Sequence, residues 1–71
     1  MKVVYNPESD ILRVLLNESS QIEESDEEKP GTIIDYDRDG NVIGFEILDA
    51  SQRVSNPNLM QYEIAKVRKI S

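Results

Sequence analysis

The stretch that decides the fold is Thr32-Ile33-Ile34-Asp35-Tyr36-Asp37-Arg38-Asp39-Gly40-Asn41-Val42-Ile43-Gly44-Phe45-Glu46-Ile47-Leu48. Two runs rich in β-branched and aromatic residues, Thr32 to Tyr36 and Val42 to Leu48, flank the polar segment Asp37 to Asn41. A glycine late in such a segment supplies the positive φ that a bulged hairpin turn requires. The pattern predicts an antiparallel hairpin. Alternation along its second strand sets Ile43, Phe45 and Ile47 on one face and Val42, Gly44, Glu46 and Leu48 on the other.

Outward from this hairpin, short strands and turn signals continue toward the N-terminus. Lys2 to Tyr5 reads as a strand, followed by the turn residues Asn6-Pro7-Glu8-Ser9-Asp10. Ile11 to Leu16 is a second strand, with Leu12, Val14 and Leu16 on one face and Ile11 and Leu15 flanking Arg13 on the other. After the turn Asn17-Glu18-Ser19-Ser20, the acidic run Glu23-Glu24-Ser25-Asp26-Glu27-Glu28 cannot make a buried face. It reads either as an exposed edge strand, where charge blocks unwanted pairing, or as a loop. Lys29-Pro30-Gly31 then resets the chain.

Toward the C-terminus, Asn56-Pro57 is a helix start, with Met60, Ile64 and Val67 at helical spacing. Met60, Tyr62 and Ile64 at period two are the pattern of a further strand, and the two readings compete. The expectation is a mainly β, small α+β fold. Residues 1–54 form an antiparallel meander of four to five strands, and residues 55–71 form a helix or extra strand that packs on the sheet or on a partner.

Seventy-one residues suffice for one small domain, and 38% hydrophobic with 31% charged residues suits a folded, soluble unit. The chain has no Cys and no His, which removes disulfides, thiolate or imidazole metal sites and Ser–His or Cys–His catalysis. No apolar run reaches the roughly 20 residues needed to span a bilayer, and the N-terminus turns polar too early for a signal peptide. A cytoplasmic protein is expected. No Gly-rich phosphate loop stands out, and Ser51 or Ser55 lacks a histidine to activate it. Enzyme activity and a cofactor are not expected.

The net charge of −6 is unevenly placed. Residues 1–49 carry 4 basic and 13 acidic side chains, whereas Arg53, Lys66, Arg68 and Lys69 face only Glu63 in the remainder. The acidic body would repel a nucleic-acid duplex. It suits a basic protein partner, since complementary charge speeds encounter. It equally suits plain solubility.

Asp35, Asp37, Asp39, Gly40 and Glu46 match the spacing of a calcium-binding loop, D-x-D-x-D-G-x5-E. Such loops join two helices, whereas both flanks here are strand patterns. A hairpin would carry Glu46 away from the three aspartates. The competing reading is a β-turn built from residues that favour turns for backbone reasons.

Tyr5-Asn6-Pro7-Glu8-Ser9-Asp10-Ile11-Leu12, the acidic stretch before Pro30-Gly31, and the block Ile33 through Ser51 resemble domain-of-unknown-function family 2283. The resemblance covers about two thirds of the chain and weakens beyond Arg53. It implies a small β-rich fold with no established activity, catalytic residue or cofactor. Some members look like antitoxin-type partners of a small toxin-like protein.

Two functional classes follow. The first is a non-enzymatic protein-interaction module, with Glu23, Glu24, Asp26, Glu27 and Glu28 as the patch that steers a basic partner. The second is a metal or small-ligand module using the carboxylates of Asp35, Asp37, Asp39 and Glu46. Both main strands carry apolar residues on two faces, more than one covering segment can hide, which points to a homodimer.

Overall fold

The computed structural model describes residues 1–68. Lys69, counted above in the basic tail, and the end of the 55–71 segment lie outside the described residues. The elements are β1 (Lys2–Asn6), β2 (Ile11–Leu15), β3 (Glu24–Lys29), β4 (Thr32–Tyr36), β5 (Val42–Ile47) and a one-turn helix α1 (Ala50–Arg53). All five strands pair antiparallel in one sheet, which is the expected mainly β class with a short helix.

The strand order is β1-β2-β5-β4-β3. A simple meander would set β3 beside β2. Here the sequential order holds within β1–β2 and within β3–β4–β5, and the two blocks join through β2 and β5. The reason lies in composition: Leu12 and Val14 find Ile47 and Phe45 opposite them, while the acidic β3 has no apolar row to offer. The acidic run is therefore an edge strand, exposed along its whole length.

Directly opposed residues share a face. One face, called here the open face, carries Val3, Tyr5, Leu12, Val14, Phe45, Ile47 and Ile34. The other carries Ile11, Arg13, Leu15, Gly44, Glu46, Ile33 and Asp35. The turn forms as read, with Gly40 at φ 83° and Asp37 accepting from the Asp39 and Asn41 backbone N–H groups at 2.9 Å each. A bulge between Asp35 and Tyr36 brings Val42 opposite Tyr36. Val42 thereby joins the open face instead of following Gly44 and Glu46, and Ile43 lines the second face instead of sharing one with Phe45 and Ile47.

The connection from β2 to β3 must cross β5 and β4, and it does so on the second face. Asn17, Ser20, Gln21 and Ile22 roof a hollow whose floor includes Leu15, Asp35, Ile43 and Gly44. Ile43 and Ala50 are the buried hydrophobic side chains among the described residues, and Asp35 is a buried carboxylate, 5% exposed, that accepts the Ser25 hydroxyl at 2.6 Å.

α1 ties the two hairpin tips together at one end of the sheet. Asp10 and Asp49 both hold left-handed φ values, 57° and 53°, which aspartate tolerates better than most residues. The Asp10 carbonyl accepts the Ala50 N–H at 2.9 Å, and its carboxylate accepts the Ser51 N–H, the Ser51 hydroxyl and the Tyr5 hydroxyl. At the other tip, Gly31 (φ 78°) accepts the Leu48 N–H and the Arg53 guanidinium through its carbonyl. A Cβ on Gly31 would collide with that guanidinium.

The helix expected from Asn56-Pro57 does not form, and neither does the competing strand. Residues 59–68 carry no helix or strand in the monomer and are exposed throughout. Only Leu59 and Met60 of this segment border the apolar hollow over the sheet, and a short helix without a packed face is marginal in water.

Two stability results are expected. Ile43→Ala should cost about 2–5 kcal/mol, enough to remove most of a domain this small's stability in urea unfolding. Ser51 and then Tyr5 hold the Asp10 carboxyl below its ordinary value of 3.8. Its stabilisation is complete above 3.8 and is lost as pH falls through the lowered folded value. Asp10→Asn should lower Tm at neutral pH, and the gap to the natural chain should close on acidification; a pH-independent gap would count against this linkage.

Candidate interaction surface

β3 is hydrogen-bonded to β4 on one side, and among the described residues no strand pairs with its other side. Its register sets Glu24 opposite Tyr36 and Asp26 opposite Ile34, on the open face, while Ser25 and Glu27 lie opposite Asp35 and Ile33 on the second face. The irregularity between Glu27 and Lys29 lets Glu28 reach Tyr36, whose hydroxyl donates to Glu28 Oε1 at 2.7 Å. Glu24, Asp26 and Glu28 thus form an acidic row beside Tyr36. That bond, then desolvation and the charges of Glu28, Asp26 and Glu24, pushes the Tyr36 pKa up to about 12. Glu27 accepts the Gly31 N–H at 3.1 Å and supports the β3–β4 turn. Glu23 precedes the strand, with its backbone N–H on the Tyr36 carbonyl.

The open face next to this row is apolar. Val3, Tyr5, Leu12, Val14 and Phe45 floor a hollow of about 420 Å³, whose wall is the chain from Val54 to Met60. None of these floor residues is fully buried. The sheet supplies one half of a core here, and the described chain supplies only a partial second half.

The four carboxylates of the calcium pattern are dispersed. Asp35 is buried under the β2–β3 connection, opposite Gly44. Asp37 spends both oxygens inside the turn, with Asn41 the main cause of its lowered pKa. Asp39 is exposed in that turn, and Glu46 stands on β5 with its Oε1 3.7 Å from Arg13 Nε. Among the described residues no three acidic side chains come together as a metal site. Asp37 and Asp39 stay in the turn at the end of the hairpin, whereas Asp35 and Glu46 lie on the second face of β4 and β5, where Asp35 accepts from Ser25 and Glu46 stands beside Arg13.

The Asp10 cluster was hidden from sequence reading. Asp10 and Ser51 are 41 residues apart, and nothing local marks them as partners. Their geometry is structural: the carboxylate is satisfied by three donors and bridges two elements.

The acidic row has a spectroscopic consequence. The stability that the Tyr36–Glu28 bond contributes is complete below pH 10.0 and is lost as pH rises through about 12. Ultraviolet titration should show one phenol with a midpoint near 12 that disappears in Tyr36→Phe. In Glu28→Gln that midpoint should fall toward 10.0; an unchanged midpoint would remove the assignment.

No helix among the described residues is long and apolar enough to cross a membrane. No curated protein and no solved structure matches the chain. A family model described as "Protein of unknown function (DUF2283)" matches residues 2–51, the span that holds all five strands and the Asp10–Ser51 tie. The chain belongs to that family.

Proposed function

We propose that this chain is a non-enzymatic protein-interaction module, antitoxin-like in that an acidic protein of this size holds a basic protein partner. The observation that carries the reading is β3, an edge strand whose outer hydrogen-bonding side is open and whose residues Glu24 to Glu28 include four carboxylates. Backbone groups on an open edge add a strand from a partner. Carboxylates on that edge repel a second acidic edge and select a basic one. The absence of Cys and His from the whole sequence supports the non-enzymatic half of the reading. The same module self-associates through the open face, whose apolar floor has no complete cover within the described chain.

Affinity capture from the native host, followed by kinetics with the purified basic partner, tests the first half. Replacing Glu23, Glu24, Asp26, Glu27 and Glu28 by Ser or Asn should slow association about tenfold or more at low ionic strength, and less at high salt. An on-rate unchanged by this substitution would end the steering role. Light scattering tests the second half: the mass should rise above 8.1 kDa with concentration, and a mass fixed at 8.1 kDa would reject self-association.

A further inference from the structure

We propose that residues 59–68 of one copy lie across the open face of a second copy, each copy lending its segment to the other. The proposal rests on the self-association stated above and names the segment that carries it.

The segment is Leu59-Met60-Gln61-Tyr62-Glu63-Ile64-Ala65-Lys66-Val67-Arg68. Apart from Met1, its large apolar side chains are the most exposed among the described residues: Leu59 62%, Met60 58%, Tyr62 69%, Ile64 76% and Val67 83%. In an extended conformation Met60, Tyr62 and Ile64 point to one side, and Lys66 and Arg68 continue that side. The side is therefore apolar first and cationic last.

The open face has the complementary order. Crossing the sheet from β1 through β2 and β5 to Ile34 of β4 is apolar ground, and β3 then presents Glu24, Asp26 and Glu28. The lengths agree as well. From β5 to β3 is two strand spacings, roughly 10 Å, and an extended chain covers roughly 7 Å from residue 64 to 66 and roughly 13 Å from 64 to 68. With Ile64 over Phe45, Lys66 and Arg68 bracket the acidic row.

Two features favour a second copy over the segment's own sheet. The chain from Val54 to Met60 already forms the wall of the hollow, so lying back across the same face requires a reversal beyond it. No Gly, Pro, Asn or Asp occurs from Leu59 to Arg68 to make one. The exposed surface of the chain is also 6030 Å², whereas the size scaling of folded monomers gives about 4500 Å² for 8.1 kDa. That excess exceeds the roughly 800 Å² per partner that a stable dimer buries. Reciprocal exchange about a twofold axis covers both faces and closes the assembly.

The test mixes two charge-reversed variants of the full chain. One carries Glu24→Lys and Asp26→Lys, at positions without a side-chain hydrogen bond among the described residues, and the other carries Lys66→Glu and Arg68→Glu. Each alone pairs like charges and should raise the dissociation constant at least tenfold. Mixed, the acidic segment meets the basic row and the basic segment meets the acidic row, so the doubled mass should return. As a second arm, Tyr62→Ser with Ile64→Ser alters only exposed side chains and should weaken association at least tenfold with the far-ultraviolet spectrum unchanged. A mixture that stays at single-chain mass, or variants that each keep the doubled mass, would overturn the exchange while leaving self-association standing. A natural chain that stays at 8.1 kDa at all concentrations would overturn both.

Discussion

The pairing of β2 with β5 is the constraint on which the rest of the structure depends. It merges a two-stranded hairpin, marginal in water by itself, with a three-stranded block into one five-stranded sheet. Once Leu12 and Val14 stand opposite Ile47 and Phe45, β3 is driven to the far edge and the β2–β3 connection must cross the sheet. That crossing roofs the second face with residues 17–22 and buries Asp35 and Ile43 beneath it. The open face is left with the partial cover that begins at Val54 and ends at Met60.

α1 does a different job from a conventional covering helix. Four residues cannot hide a sheet, and their burial is confined to Ala50. Their contribution is to link the tips of the two strand blocks through Asp10 and Gly31, both of which hold positive φ. The β2–β5 ladder joins the blocks along their length, and this tie joins them at one end. Asp10 and Arg53 are consequently positioned by elements more than twenty residues away in sequence. The half-buried Arg13–Glu46 ion pair approaches only to 3.7 Å, and the buried Arg13 Nε makes no hydrogen bond among the described residues.

The acidic edge and the open face follow from the same topology. An acidic strand placed centrally would set its carboxylates in the middle of the sheet's apolar faces, where each loses hydration. At the edge they remain hydrated and give the sheet a charged border. The apolar ground from β1 to β4 then ends against a negative row, which gives the open face a direction as well as an area. A covering segment that is apolar and then basic matches that direction, and the chain's own residues 60–68 have that order.

By itself the sequence determined the strands and their turns, because these depend on local chemistry. Period-two runs, Asn6 and Asp37 as side-chain acceptors, and Gly40 at positive φ act within a few residues of one another. The acidic run was legible as unburiable for the same local reason. Tertiary structure alone decided which strands became neighbours, since β2 met β5 through cross-strand packing between segments some thirty residues apart. It also decided that Asp35 is buried and accepts from Ser25, that a bulge carries Val42 to the open face, and that Asp10 finds Ser51. The segment after Asn56 carries helix and strand patterns together, and local propensity could not choose between them. An amphipathic segment takes its conformation from the surface it packs on, and within a single copy residues 61–68, beyond the wall that ends at Met60, line no part of the apolar hollow.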